Sequence, residues 1–480
     1  MNNNMIKMKK FLSPLLAAAV CSVAVNAAAP ARTPAAWTPS ARQLENTAVE
    51  KAGPVDIAGS AGSATITVDK ATEHQTIWGF GAAITGPAKD FLHDLSVANQ
   101  NRVYDLLFLN TGDNLGFTIA RMNIEPGMHP APGVYDWQAD AAQSRFAQEM
   151  YKRYPAPITA VPWSPPAWMK TNNSTYGGGH VKPECIDSLA QWFYDWTSYQ
   201  RDKCGLNIQW LSIQNEPNAK VKWQCCDYTH AEMEAELWAA MKLFRSHGSP
   251  VMIGGPECGG DQGTQNFLDS MSKEVVASMD WIAHHGYRSV KQPQNDLDFR
   301  KYGRPVLMTE LCGGPAKQSG GHADDINDGV MWSGHIQRAL SRDEKGYLFW
   351  QLVRDNPGSQ SLVDLKTGQD YYHPFKRAYV FANYSRFIRP GYIVVDSKSD
   401  NKDLIVTAAK HPLTGNTSVV ITNKTQGDID VTVKGLSGKA IGGRITSAQY
   451  DFAATKDISA SDGDFVVRIP AMSVVSLAEK

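Results

Sequence analysis

The chain has 480 residues and a mass of 52.6 kDa, too many for one small domain and the right number for a large barrel with one companion. Its 47 Lys and Arg balance 48 Asp and Glu, giving a formal charge of −1, so no global field exists to hold a polyphosphate and nucleic acid is excluded as a partner class. Hydrophobic residues make up 42% of the chain, and 13 Trp, 17 Tyr and 16 Phe leave aromatic faces to spare for a cleft, which excludes disorder as the dominant state.

Lys7, Lys9 and Lys10 precede an apolar run, Phe11 to Val25, that is short and alanine-rich for a membrane span, and Val25-Asn26-Ala27 offers a small-x-small cleavage site. Residues 1–27 read as a secretory signal, sending the protein to the periplasm or the extracellular space. Cys21 follows the bulky Val20 and not a small residue, so lipid anchoring there is not expected. No other stretch is apolar enough to span a bilayer. An oxidising destination favours disulfides among the six remaining cysteines, Cys185, Cys204, Cys225, Cys226, Cys258 and Cys312. None forms a C-x-x-C pair, which argues against a zinc knuckle or a thioredoxin-like motif. The adjacent Cys225 and Cys226 should reach different partners, and buried thiols are the alternative to any bridge.

Residues 28–63 are rich in Ala, Pro, Ser, Thr and Gly and read as a tether. The strand "ATITVDK" follows within residues 64–76. Strand and helix then alternate from 77 to 388, with buried-strand runs "IWGFGAAIT", "FTIARMNI", "PITAVPW", "IQWLSIQ", "PVMIGG", "MDWIAHHGY", "PVLMTEL" and "GYLFWQL". Helical segments lie between them, among them Ser188 to Asp202 with Ser188 as a possible cap and Thr229 to Ser246. Eight such units over about 300 residues is the size of a (β/α)₈ TIM barrel. From 389 to 480 short alternating strands separated by Gly, Asn, Asp and Pro signal a β-sandwich, which the early strand could join.

Reactive groups of such a barrel sit where its strands finish. The fourth barrel strand, "QWLSIQNEPN", delivers Asn215 and Glu216, and the seventh, "PVLMTELCGG", delivers Glu310. Each glutamate alone could merely cap a helix or hold an arginine. Two carboxylates facing across a cleft, one protonated and one ionised, is the arrangement that cleaves a glycosidic bond. The second strand adds Arg121 and Asn123, the third Trp163 and Ser164, the sixth His284, His285 and Tyr287, the eighth Trp350 and Gln351. Singly these tryptophans could be core; together with the polar groups they describe a groove with faces for sugar rings and donors for hydroxyls. His284 and His285 point to opposite faces of a strand and cannot share one ion, so neither metal nor cofactor is expected. A non-catalytic carbohydrate-binding protein would keep the aromatics but has little use for both carboxylates with Asn215 and Arg121.

The runs "QTIWGFGAAIT", "LGFTIARMNI", "PWSPPAWMKTN", "LSIQNEPN", "HHGY", "VLMTELCGG" and "YVFANYSRFIRPGY" occur in the order seen in glycoside hydrolase family 30, among the retaining (β/α)₈ glycosidases, and the resemblance runs from about Ala64 to "MSVVSL". It implies a barrel with a side β-sandwich built from both ends of the chain. It further implies Glu216 as acid/base, Glu310 as nucleophile, Asn215 on the sugar 2-hydroxyl and Arg121 beneath the nucleophile, keeping it ionised. Trp163, His285, Tyr287 and Trp350 match the family's subsite positions, and the two carboxyls should stand about 5 to 5.5 Å apart.

The family spans xylanases, β-1,6-glucanases and glucosylceramidase-like β-glucosidases. "SPPAWMKTN" looks like the glucanase and glucosidase members, while length, export and a compact sandwich suit xylanases, and a plant cell-wall xylan is the expected substrate. Arg354 in "LVRDNPGSQSL" could receive a glucuronic acid branch, although that loop departs from the glucuronoxylanase pattern and Asp355 could pair with it. A monomer is the default expectation.

Overall fold

Strand β1 (Ala64–Thr76) alternates buried and exposed residues along its first half, as a strand with one face on a core must. The computed structural model describes residues 55–60, 62–85, 95–287, 297–313, 325–354 and 360–480; the leader over 1–27, residues 28–54 of the tether and Asp355 lie outside these. Within the rest of the tether, Val55 and Ile57 are buried against the side domain.

Eight parallel strands follow: β2 (Gly79–Ala83), β3 (Ile119–Asn123), β4 (Ile158–Val161), β5 (Ile208–Ser212), β6 (Met252–Cys258), β7 (Trp281–His285), β8 (Val306–Glu310) and β9 (Gly346–Arg354). Each pairs with the next, and β9 pairs with both β2 and β8, closing the barrel. The eight apolar runs of the sequence all lie on it. Helices α1 (Val97–Phe108), α2 (Ala141–Arg153), α3 (Ile186–Asp202), α4 (His230–Ser246), α5 (Asp261–Ser270), α6 (Lys273–Ser278) and α7 (Ile326–Ser341) carry the crossovers. Thr229 starts α4 with a capping box, its hydroxyl accepting from the Glu232 amide at 3.2 Å while Glu232 accepts from the Thr229 amide at 2.6 Å. Ser188 does not cap α3, because that helix grows directly out of the 3₁₀ turn Pro183–Cys185 and begins two residues earlier.

Alternation along the strands divides them into a bore and an outer face. Trp78, Ile119, Trp210, Met252, Trp281, Ala283, Leu307 and Leu348 fill the bore, with Trp78 stacked on Trp210 at 4.7 Å and Trp281 edge-on to Trp78 at 6.4 Å. The bore is therefore solid at its lower end, and what lies above these side chains along the same strands faces the cavity at the C-terminal end.

Beyond the barrel, β10 (Ser361–Leu365) and β11 (Tyr372–Pro374) extend its sheet past β9, and α8 (Lys376–Ser385) leads out. The strands β12 (Ile393–Ser399), β13 (Leu404–Lys410), β14 (Thr417–Asn423), β15 (Ile429–Lys434), β16 (Ala440–Thr446), β17 (Ala453–Ala454), β18 (Ile458–Ser459), β19 (Phe465–Ile469) and β20 (Ser473–Glu479) form the side domain with β1. All ten strands belong to one hydrogen-bonded sheet, nine in a continuous path and β18 paired to β16 beside it, that curls around Ile66, Val419, Val431, Ile441, Phe465 and Val475, so its two layers are parts of one sheet. β1 runs antiparallel to β12 and parallel to β15, which builds the domain from both ends of the chain. The "SRFIRPG" arginines fasten it to the barrel: buried Arg386 donates to the Asn114 carbonyl at 2.6 Å and Arg389 to that of Gly116 at 2.7 Å, in the turn that feeds β3.

The expected disulfides are not formed: no two of Cys185, Cys204, Cys225, Cys226, Cys258 and Cys312 are bridged. Two of these sulfurs serve local backbone instead, Cys225 accepting from the Gly178 amide at 3.1 Å and Cys226 donating to the Gly179 carbonyl at 3.3 Å. Among the described residues no helix is long and apolar enough to cross a membrane.

Candidate active site

Arg121 follows Ile119 on the inward face of β3 and is wholly buried, so its guanidinium must find partners inside the protein. It finds three. Nη1 donates to Oε2 of Glu310 at 2.6 Å, Nη2 to Oδ1 of Asn215 at 2.6 Å, and Nε to Oε1 of Glu257 at 3.1 Å. Its plane lies 4.6 Å from the Trp163 ring centre and 5.9 Å from that of Trp350, two rings that meet at 5.4 Å. The arginine thus gathers the ends of five strands around one charge.

Glu310 closes β8 and is held at both oxygens, Oε1 accepting from the Tyr287 hydroxyl at 2.6 Å and Oε2 from Arg121. Burial raises its carboxyl above the ordinary value; His285 and Arg121 pull it down without cancelling that rise, and the neighbouring Glu216 adds to it. Arg121 therefore acts in the direction the sequence implied, but burial outweighs it.

Glu216 follows β5 in a left-handed backbone conformation, φ 45°, fixed by its amide donating to the Glu257 carbonyl at 3.0 Å. A side chain on Gly259 would come within 2.9 Å of Glu216 Oε1, so glycine there keeps room for the carboxylate. Asn215 is pinned by its own amide on the Pro162 carbonyl at 2.9 Å. With its side-chain oxygen taken by Arg121, its NH₂ group remains to donate.

His285 lies between these groups. Nδ1 is 3.1 Å from Oε1 of Glu216 and 3.8 Å from Oε1 of Glu310; Nε2 is 3.4 Å from Oε1 of Glu257. One donor atom each from Glu216, His285 and Glu310 fall within 4.8 Å of one another, a spacing that could hold a cation. The same spacing lets the ring bridge the two carboxylates. Burial would lower the pKa of His285, but Glu310, Glu216 and Glu257 raise it to about 9.

Arg121, Trp163, Asn215, Glu216, His285, Tyr287, Glu310 and Trp350 are thus brought together as the sequence implied. Arg354 is not part of this group: it ends β9 half-buried, donating to Gln351 at 3.3 Å and to Gln360. Asn123 and Ser164 serve the scaffold, Asn123 accepting from the Trp163 amide at 3.3 Å and Ser164 from the buried Lys170 ammonium at 3.1 Å. His284 faces outward into a charged quartet, 3.0 Å from Asp261 and 3.1 Å from Glu344, both of which also bind Arg342.

Glu257 is the residue that sequence reasoning missed. The run "PVMIGG" stops at Pro256, where an extended strand is expected to end, whereas β6 continues through Cys258 and presents Glu257 at its tip. A signal was present: "ECGG" at 257–260 has the same glutamate-before-double-glycine texture as "ELCGG" at 310–314.

No family profile matches the chain. Among curated proteins, it is 26% identical over 429 residues to glucuronoxylanase XynC of Bacillus subtilis strain 168, covering 86% of this chain and 90% of that one. It is also 26% identical to an endo-1,6-β-D-glucanase of Neurospora crassa, covering 77% and 83%. Among solved structures, the family 30 subfamily 8 xylanase Xyn30A of Clostridium acetobutylicum superposes with a TM-score of 0.71 at 25% identity, covering 87% of this chain and all of that one.

Proposed function

We propose that the chain is a glycoside hydrolase of family 30 that cleaves a β-linked plant cell-wall polysaccharide, xylan, with net retention by double displacement. One observation carries the mechanism: oxygens of Glu216 and Glu310 lie within 4.8 Å of each other across the cavity. So close an approach supports a retaining pair, whose carboxyls stand about 5 to 5.5 Å apart, over an inverting pair at about 6.5 to 9.5 Å.

Glu310, fixed at both oxygens, attacks the anomeric carbon while Glu216 gives its proton to the leaving oxygen; water then attacks the glycosyl ester with Glu216 as base. The Asn215 NH₂ group donates to the sugar 2-hydroxyl, and Trp163 and Trp350 present ring faces to the sugar. For the substrate, support comes from the glucuronoxylanase relative and from Arg354, whose charge is met among the described residues by two neutral amide oxygens and can receive a uronate branch. The basic and apolar leader supports export, and N-terminal sequencing of the exported protein should begin at Ala28.

The test is incubation with xylan, glucuronoxylan, β-1,6-glucan and nitrophenyl glycosides, with Glu310→Gln as control and the anomer of the first product followed by NMR. Xylo-oligosaccharides with retained configuration are expected, and product length separates endo from exo action. Glucose from β-1,6-glucan with nothing from xylan overturns the substrate; an inverted first product overturns the mechanism.

A further inference from the structure

The two-step reaction moves a negative charge from one glutamate to the other. In the first step a bond forms between Glu310 and the anomeric carbon, the glycosidic C–O bond breaks, and the Glu216 proton leaves with the departing oxygen. Before it Glu310 is the anion and Glu216 is neutral; after it Glu310 is a neutral ester and Glu216 the anion. Inside a dry cavity such a shift is costly unless a cation serves both positions. Arg121 does not: its contacts run to Glu310, Asn215 and Glu257, and none to Glu216. His285 does, with Nδ1 at 3.1 Å from Glu216 and 3.8 Å from Glu310.

For that ring to be a cation it needs an anion that takes no part in the chemistry. Glu257 stands on its far side, wholly buried, its Oε1 3.4 Å from Nε2. The chain adopts an unfavourable backbone to put it there: Glu257 has φ 55°, and the pairing of β6 with β7 skips it between Pro256 and Cys258. We propose that Glu257 is a positioning residue that holds His285 as a cation between the acid/base and the nucleophile, so that the site carries no net charge either before or after the anion moves. With Arg121 and His285 positive and Glu257 negative, one further anion on either Glu310 or Glu216 brings the total to zero in both states.

Among the described residues the charged or titratable groups facing His285 are Glu216 from the end of β5, Glu257 from β6, Glu310 from β8, Arg121 from β3 with Nη2 at 3.5 Å, and Tyr287, whose hydroxyl stays protonated because burial and Glu310 push its pKa far up. Consistent with the geometry, Arg121 and His285 outweigh the effect of burial on Glu257 and hold its carboxyl at about 2. Glu257 also supplies the carbonyl that fixes the Glu216 amide, a contact its side-chain variants keep.

The inference rests on the glycosidase reading, and its test separates the two. In full-length protein labelled with ¹⁵N-histidine, the His285 ring nitrogens are titrated by NMR in the wild type and in Glu257→Gln, alongside kcat/KM against pH. The wild-type ring should remain protonated at pH 7, and E257Q should lower its apparent pKa by about one unit or more, with the alkaline limb of kcat/KM moving down in step. A wild-type His285 that is neutral at pH 7, or a folded E257Q with an unmoved titration and alkaline limb, overturns the proposal. Should E257Q fail to fold, the wild-type titration decides alone. Absence of hydrolysis on any β-glycoside would instead remove the glycosidase reading and leave the titration readable.

Discussion

Arg121 donates from Nη1 to Oε2 of Glu310 at 2.6 Å, with both side chains almost entirely removed from water. In the proposed mechanism the pair sets the lower end of the working pH range. Glu310 must be ionised to attack, and its pKa already stands above the ordinary glutamate value despite the arginine. Removing the guanidinium raises it further, so Arg121→Leu should move the acid limb of kcat/KM to higher pH. It should also cost on the order of 3–5 kcal/mol of stability, because Glu257 and Glu310 lose a shared partner. Denaturant melts and a pH–rate profile measure both. An acid limb that stays in place would mean that Arg121 only packs.

In the proposed mechanism Glu216 acts on the leaving group, so its contribution should depend on how much help that group needs. Glu216→Gln removes the proton donor while keeping the shape. Hydrolysis of glycans with poor leaving groups should fall by about 10²–10⁴, whereas dinitrophenyl glycosides should still form the glycosyl enzyme and then stall in the base-assisted second step. A burst of dinitrophenol followed by a slow phase is the expected trace. Equal losses on both substrate types would assign the acid role elsewhere.

The barrel and its two glutamates were legible because each strand is an apolar run closed by Pro or Gly, and Glu216 and Glu310 stand at such closures. Glu257 escaped for the opposite reason: Pro256 looks like a stop, and only the three-dimensional pairing carries β6 past it. The partners of His284 were unreadable for a different cause. Asp261, Arg342 and Glu344 come from the ends of two other crossovers, and nothing local in "HHGY" points to them. The cysteines show the limit of reasoning from an expected compartment, since an oxidising one would permit disulfides but does not bring two sulfurs together.

Trp78 precedes β2 and stacks on Trp210 at 4.7 Å, among the side chains that fill the bore. Its work is to make the floor of the cavity solid. Trp78→Ala leaves a void in the bore that the closed barrel cannot collapse to fill, and should cost about 3–5 kcal/mol. Activity per folded molecule should change far less than stability. Urea melts paired with active-site titration measure the two separately, and a loss under about 1 kcal/mol would show that the bore repacks.

His284 gives a stability term with a definite dependence on pH. Burial works against its charge, but Glu344 and Asp261 overcome that and raise its pKa to about 9, against an unfolded value of 6.5. The folded state thus binds the proton more tightly than the unfolded one. Its contribution is fully present below pH 6.5 and is lost as the pH rises through about 9, on the order of 2–3 kcal/mol across that window. His285 titrates in the same window with the same sign, so the wild type loses both terms. His284→Asn removes one and leaves the other. The variant should therefore be least stable relative to wild type at pH 6, and the two should converge toward pH 9 to 10. Melts at unit pH intervals measure the gap directly; a gap that stays constant from pH 6 to 9 would mean that His284 is neutral in the folded protein and that Arg342 alone balances Asp261 and Glu344.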